Sequence, residues 1–444
     1  MKEVTPATRR MSEAESRQSR PLPRTVWLLS WVSFFADVSG EMIYPLLPLF
    51  LVGVLGSSRT QLGMIEGAAV LLVAVMTAFA GVRSDRTGTG RVPWIRWGYG
   101  LPVLGKATIA LATVWPLVLF GRLLDRFGKG LRSAPRDALI TDAVTADQRG
   151  RAFGLHRAFD TAGAFVGVLL SAWLLWWLTG TPQQGDVAVA ASSVAQTPVW
   201  IYRAIFGVGA GLGLAALILT IFVHESAGGS AAPPSPATPG VATPSTNATS
   251  STGWLALPRS YWSVLMLLSL FSLANSSDVF LLLRASDLGY SPWSVVMLYA
   301  VYNLTYSALA YPAGMLSDRL GRWGIIAIGW VIYAGVYVGF AFLPDTHAWG
   351  LWPLMASYGV YMALTDGVGK ALIADHAPRA KRGTAMGIFY AVSGLMTLGA
   401  SVLAGIMWDR FGPTLAFSIG AGLSVLALVV LAALRWRTAF GAVQ

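Results

Sequence analysis

The chain contains no cysteine. Disulfides, thiolate nucleophiles, iron–sulfur clusters and cysteine-ligated zinc are thereby excluded. Charge is scarce as well. Asp, Glu, Lys and Arg make up 12% of 444 residues, about half the ~25% of a soluble protein. There are only four histidines, His156, His224, His347 and His376, and none stands at a metal-ligating spacing from another. No metal site and no cofactor are expected. The phosphate-binding pattern G-x-x-x-x-G-K-[ST] is missing, so ATP-driven pumping has no support. With no Ser/His pairing and no ligand set either, the chain is not expected to be an enzyme.

Apolar residues are abundant. They make up 55% of the chain, and the mean hydropathy is +0.59. So little charge cannot coat a soluble globule of 47 kDa, so most of the surface should face lipid. Apolar stretches run at 27–54, 60–83, 93–113, 115–142, 150–178 and 200–224, then at 260–285, 292–317, 323–344, 349–376, 383–407 and 413–437. Their length and continuity predict twelve transmembrane helices in two groups of six rather than barrel strands, which would alternate over ~10 residues.

The expected domains are a basic N-terminal tail (1–24), a six-helix bundle (25–225), a linker (226–258), a second bundle (259–437) and a short tail (438–444). Residues 226–252 consist almost entirely of Ala, Gly, Pro, Ser and Thr and cannot bury a core. The net charge of +11 fits an excess of Lys and Arg in cytoplasmic loops better than nucleic-acid binding. Arg83, Arg86 and Arg91 follow span two, Arg149 and Arg151 follow span four, and Arg319 and Arg322 follow span eight. The intervening loops are poor in both residues. Both termini and the linker are expected on the cytoplasmic side, and 179–199 is expected to be a long external loop.

The two halves repeat at an offset of 233 residues. Gly81, Ser84, Asp85, Arg86 and Gly88 recur as Gly314, Ser317, Asp318, Arg319 and Gly321; Asp142 recurs as Asp375; Arg149, Gly150 and Gly154 recur as Arg382, Gly383 and Gly387. One offset across separate motifs implies two bundles of the same topology, a transporter architecture with its site between the halves.

GVRSDRTGTGR (81–91), with its second copy GMLSDRLGR (314–322), resembles the signature loop of the major facilitator superfamily. RLLDRFGKGLRSAPRDALITD (122–142) further resembles a prokaryotic branch whose substrates are not named. The resemblance covers 25–437. It implies an all-α fold of two pseudo-symmetric six-helix bundles in a prokaryotic inner (plasma) membrane, a monomer, and alternating access. Helices one, four, seven and ten would line the cavity. Asp85 would meet the start of helix eleven in the other half, and Asp318 the start of helix five, latching the cytoplasmic side shut. Arg86 and Arg319 are expected to pair with Asp142 and Asp375. The plainer alternative is that these charges only anchor tight turns.

Gly154, Gly163 and Gly167 partly match the antiporter motif of helix five, although Val168 stands where the motif has proline. Close helix packing by small residues is the competing explanation.

Ionisable residues inside spans are costly and therefore candidates for function. Asp37 and Glu41 lie one turn apart in span one. Arg122, Arg126, Lys129, Arg132 and Arg136 form a stripe within an arc of ~120° on span four. Asp37 and Glu41 are expected to partner Arg122 or Arg126. A self-contained ion-pair network is the alternative. Asp160, Asp278 and Asp366 are further proton-coupling candidates. Asn275, Tyr302, Asn303, Tyr306 and Lys370 are further cavity candidates. Asp366 and Lys370 could simply pair, as could Glu66 and Lys106.

The expected function is secondary transport driven by a proton gradient. The favoured form is export by antiport of a small organic molecule, with the basic stripe tilting the choice towards an anionic or zwitterionic one. A proton symporter importing an organic anion, or a non-cycling receptor or scaffold, are the alternatives. Beyond the bilayer and a small-molecule substrate, no partner is expected.

Overall fold

The computed structural model describes residues 21–86, 90–145, 148–180, 197–225, 257–378 and 381–441. Most of the predicted linker, the external loop 179–199 and the N-terminal tail fall outside them.

Thirteen α-helices occur among the described residues, and no strand. They are α1 (Arg24–Glu41), α2 (Arg59–Arg86), α3 (Val92–Leu111), α4 (Trp115–Ala143), α5 (Arg149–Thr179), α6 (Val199–Leu219), α7 (Arg259–Ala274), α8 (Val279–Asp287), α9 (Pro292–Leu320), α10 (Arg322–Phe342), α11 (Leu351–His376), α12 (Arg382–Phe411) and α13 (Pro413–Gly441). α7 and α8 are two pieces of one span, which gives twelve spans. Prolines set helix starts: Pro23, Pro198 and Pro258 precede α1, α6 and α7, where a missing N–H costs nothing. Gly180 and Gly412, at φ 77° and 86°, end α5 and α12 in the left-handed region that glycine tolerates.

Eight spans are long and apolar enough by composition alone to cross a membrane. The other four, α3, α4, α9 and α11, carry charge, tyrosine, glycine or proline where the rest carry aliphatic side chains. Large apolar side chains on the outer faces are exposed, among them Trp97, Leu111, Met266 and Phe342. In a membrane these meet acyl chains.

Within the first half, α4 packs on α2 and α3, and α1 on α5 and α6; within the second, α11 packs on α9 and α10, and α13 on α7 and α10. Two seams join the halves, α2 against α12 and α5 against α9. The α2/α12 seam closes on glycines. A Cβ added at Gly63 would lie 2.2 Å from the Ser401 carbonyl, and one at Gly405 would lie 2.4 Å from that of Arg59. The same measure is 3.2 Å at Gly394 and 4.0 Å at Gly387. The two helices therefore touch at the end remote from the signature loops and splay apart towards them. At the closed end Asp409 of α12 caps the start of α2. It accepts the backbone N–H groups of Arg59 (3.0 Å) and Thr60 (2.8 Å) and the Thr60 hydroxyl (2.7 Å). Arg59 also reaches Asp287 at 3.3 Å.

Two spans expected to be continuous are broken. Span one stops at Glu41 and resumes as a 3-10 turn (Tyr44–Leu46) and a π-turn (Leu49–Val54) around Pro45 and Pro48. Span seven stops at Ala274 and resumes at Val279. The two stops, Glu41 and Ala274, are 274 − 41 = 233 residues apart, the offset of the repeat.

Candidate functional site

α4 carries the basic stripe into the interior. Arg122 makes a two-pronged ion pair with Glu66 of α2, Nε to Oε1 and Nη2 to Oε2, both at 2.8 Å, and both residues are buried. Its guanidinium also lies 5.3 Å from the Tyr44 ring. Asp125 gathers three cations: Arg126 at 3.4 Å, Arg122 at 3.7 Å and Lys106 at 3.8 Å. Lys106 donates to Ser39 at 2.7 Å. Arg132 stacks on Tyr99 at 4.1 Å, and Arg136 pairs with Asp137 at 2.9 Å. Isolated charges at this depth would be prohibitive, and each Arg of the stripe is met by an acid or a ring.

The expectation that Asp37 and Glu41 partner Arg122 or Arg126 is corrected. Glu66 and Asp125 hold those arginines because they sit on the faces that α2 and α4 turn towards each other. The Glu66–Lys106 pairing fails for the same reason. The stripe is therefore largely neutralised from within. Lys129 is its one cation with neither an ion pair nor a ring against it among the described residues. Glu41 instead accepts a hydrogen bond from Tyr299 of α9, in the other half, at 2.8 Å. Asp37 has no ion pair among the described residues. It faces Asp160, Lys129, Arg132 and Arg136. Asp160 lies 3.6 Å from His156, and its Oδ1 is buried with no hydrogen-bond partner among the described residues.

The second half replaces charge with tyrosine. Asp278, at the break before α8, accepts from Tyr358 at 2.6 Å and Tyr302 at 3.4 Å. Tyr333, Tyr337 and Tyr361 pack round them, and Tyr333 donates to the Ala274 carbonyl, at the break, at 2.7 Å. Asp125 of the first half and Tyr358 of the second occupy equivalent repeat positions, 358 − 125 = 233.

A cavity of about 720 Å³ lies between the halves. It reaches from Tyr44, Glu66 and Asp278 at mid-depth to Thr77, Asp137 and Tyr390 near the signature loops, with Tyr299 bounding it as well. Arg122, Arg126 and Lys129 face it. A second cavity, of about 260 Å³, adjoins it at Glu41, Lys129 and Ser133 and holds Asp37, Arg132 and Asp160.

Not every predicted cavity residue reaches these spaces. Tyr306 and Asn303 line the smaller one. Tyr302 is buried in the tyrosine cluster. Asn275 lies at the helix break with its Oδ1 buried and unpartnered among the described residues. Lys370 pairs with Asp366 at 2.7 Å, and Tyr306 donates to the same carboxylate at 3.0 Å; neither member of that pair lines the two cavities.

The gating residues are partly visible. Asp142 pairs with Arg91, and Asp375 pairs with Arg322 at 2.5 Å. The expected pairing of Asp375 with Arg319 is thus corrected, because Arg319 is exposed on the last turn of α9 while Arg322 opens α10 beside α11. Asp142 is likewise taken by Arg91. Gly81 packs on Ala134, Gly314 has open space, and Gly321 turns the chain at φ +86°. The side chains of Asp85, Arg86 and Asp318 lie outside the described residues, as do Gly88 and the surroundings of Gly154. Gly163 and Gly167 press against the α1 backbone: a Cβ at either would lie 2.5 Å from the carbonyl of Phe34 or Val38. They are packing glycines, whatever else they do.

Sequence reasoning passed over Tyr299, Tyr358 and the part played by Glu66. A buried Arg122 demands a carboxylate, and Glu66 is one of few inside the first-half spans. Tyr299 stands at the repeat position of Glu66, 299 − 66 = 233.

A family model described as Major Facilitator Superfamily matches residues 29–396. An uncharacterised MFS-type transporter of Methanocaldococcus jannaschii is 30% identical over 425 residues, covering 94% of this chain and 97% of that protein. Multidrug resistance protein MdtH of Escherichia coli is 33% identical over 134 residues, which is 30% of this chain and 33% of that protein. Among solved structures, the nucleoside transporter NupG superposes with a TM-score of 0.68 at 13% identity, covering 93% of this chain and 99% of that one. A mutant of the peptide transporter POT in complex with sulfate gives 0.69 at 15% identity, covering 96% and 98%. Family match, full-length relative and fold agree with the doubled bundle and its central cavity: the chain belongs to the Major Facilitator Superfamily and is an integral membrane transporter.

Proposed function

We propose that the protein exports a small zwitterionic organic molecule in exchange for protons, by alternating access across the inner membrane of a prokaryote. The excess of Lys and Arg at the signature-loop end supports a cytoplasmic placement of that end. The described state then opens to the cytoplasm.

The observation that carries the proposal is the 2.8 Å hydrogen bond from Tyr299 to Glu41. It joins the two halves at the closed end of the large cavity, so it must break when that end opens. A phenol holds a carboxylate about twice as strongly as it holds a neutral carboxylic acid. A proton on Glu41 loosens the contact. A cationic group of the substrate, bound at Glu41 in place of the phenol, does the same. Carrier loaded with neither stays clasped, which makes the exchange obligatory. Lys129 supplies the complementary charge for the anionic end of the substrate. Asp37 and Asp160 share the adjoining cavity without a fixed Lys or Arg partner, so they offer a route for the proton to and from Glu41.

Two experiments test this. Metabolite profiling of cells and medium, wild type against an expression-matched Asp85→Asn variant, identifies the compound that leaves the cell; accumulation inside instead would reverse the direction. In proteoliposomes, Glu41→Gln should retain exchange of labelled for unlabelled substrate at equal pH and lose uptake driven by a pH gradient. Full gradient-driven uptake by Glu41→Gln would sink the coupling assignment.

A further inference from the structure

The two seams between the halves are built differently. The α2/α12 seam is sealed by backbone contact at glycines. Along the α5/α9 seam there is instead a cleft of about 580 Å³. Small side chains, Ala158, Ala162 and Ala164, keep it open, and exposed Phe165 and Leu304 flank it on the outer face. The cleft and the smaller inner cavity share Arg157, Thr161, Ala164, Asn303 and Ser307. That inner cavity in turn shares Glu41, Lys129 and Ser133 with the large one. A passage with common walls therefore runs from the lipid-facing surface to the central cavity.

The chemistry changes along it. The outer part is apolar. Arg157 stands at the throat, eight residues into α5 and so roughly 12 Å along it. Its polar neighbours are the Tyr306 hydroxyl and, further off, the Asp366 carboxylate, which Lys370 already holds. It makes no ion pair of its own among the described residues. A guanidinium open to hydrocarbon at that depth is unfavourable unless an anionic group or water reaches it. One turn further in, the buried Oδ1 of Asp160 lacks a hydrogen-bond partner among the described residues, and Asp160 lines the same cavity. An unpaired cation and an incompletely satisfied acid three positions apart fit the two ends of one zwitterion.

We infer that the α5/α9 cleft is a lateral portal that admits a single-chain zwitterionic amphiphile from the bilayer. Its anionic group lies at Arg157, its cationic group at Asp160, and its chain in the apolar cleft. The inference rests on the transporter reading above and names the substrate class for it. The cleft volume is that of an ordinary small-ligand site, ~300–1,000 Å³, which suits one acyl chain and not a two-chain lipid.

The test is photolabelling in proteoliposomes with no pH gradient. The probes are diazirine-bearing chains of one length carrying a phosphocholine, a sulfate or a hydroxyl head. Phosphocholine should label α5 and α9 at least fivefold more than the hydroxyl probe, and the sulfate probe should fall between. Ala162→Trp and Ala158→Trp, which plug the cleft from exposed positions, should each abolish the labelling while the protein remains monodisperse. Arg157→Gln and Asp160→Asn should each reduce phosphocholine labelling to the hydroxyl level. Equal labelling by all three heads, or labelling that survives both plugs, would overturn the portal. Because no gradient is used, such a failure leaves the Glu41 coupling experiment standing. Conversely, full gradient-driven uptake by Glu41→Gln would leave the labelling result intact.

Discussion

The Arg122–Glu66 pair gives the sharpest quantitative expectation. Both residues are within 5% of full burial, and the pair is two-pronged at 2.8 Å. Removing one partner from a buried ion pair costs ~3–5 kcal/mol, because the remaining charge is left without its counter-ion. In Glu66→Leu, Arg122 keeps Asp125 at 3.7 Å and the Tyr44 ring at 5.3 Å. The cost should fall at the lower end, about 3 kcal/mol, or more than a hundredfold in the folded-to-unfolded ratio. Glu66→Gln retains one acceptor and should cost less. The double variant Glu66→Leu/Arg122→Met removes both charges at similar volume and should recover about 2 kcal/mol of the loss. The assay is reversible unfolding in mixed micelles by titration with sodium dodecyl sulfate, followed by tryptophan fluorescence. A Glu66→Leu protein within about 0.5 kcal/mol of wild type, the range of an inconsequential substitution, would refute the reasoning. So would a double variant as unstable as the single.

Asp409→Ala removes a carboxylate from the start of α2, an interaction worth ~0.3–1 kcal/mol at an exposed helix end. It should raise the population open at the far end by up to about fivefold. The absence of cysteine lets single-cysteine probes in the α2/α12 seam report this without background labelling. Gly163→Leu drives a side chain into the Phe34 carbonyl and should destabilise the α1/α5 contact by at least ~1–3 kcal/mol; equal loss of gradient-driven transport and of exchange would mark it as a packing residue. Asp366→Asn should cost no more than ~1 kcal/mol in the same unfolding assay, since the Asp366–Lys370 pair is about one-third exposed.

Most of the fold was legible because its signals are local and long. Twelve apolar runs, glycine and proline punctuation and a constant repeat offset do not depend on tertiary packing. Span ends fell within a few residues of their expected places. The breaks in spans one and seven were harder to see, although Pro45, Pro48 and the Asn275-Ser-Ser run mark them afterwards. The site was legible by residue type and not by partner. The stripe on α4 announced buried charge, but helix rotation decides which acid meets which base. Glu41 was found as a candidate, whereas Tyr299, its partner 258 positions away, carries no periodicity that would identify it. The tyrosine cluster escaped for a related reason, since aromatic residues on a helix read first as core.

The matched interruptions have an evolutionary implication. Spans one and seven stop at the same repeat position, yet prolines make one break and an Asn-Ser-Ser run the other. Since unlike residues produce one geometry, the break is a property inherited with the duplicated unit rather than an accident of either sequence. Each half thus retains its own joint at mid-membrane, beside Glu41 in one and Asp278 in the other. After duplication the two joints took on different duties: one came to carry a carboxylate that reaches across to the other half, and its twin a carboxylate held by tyrosines of its own.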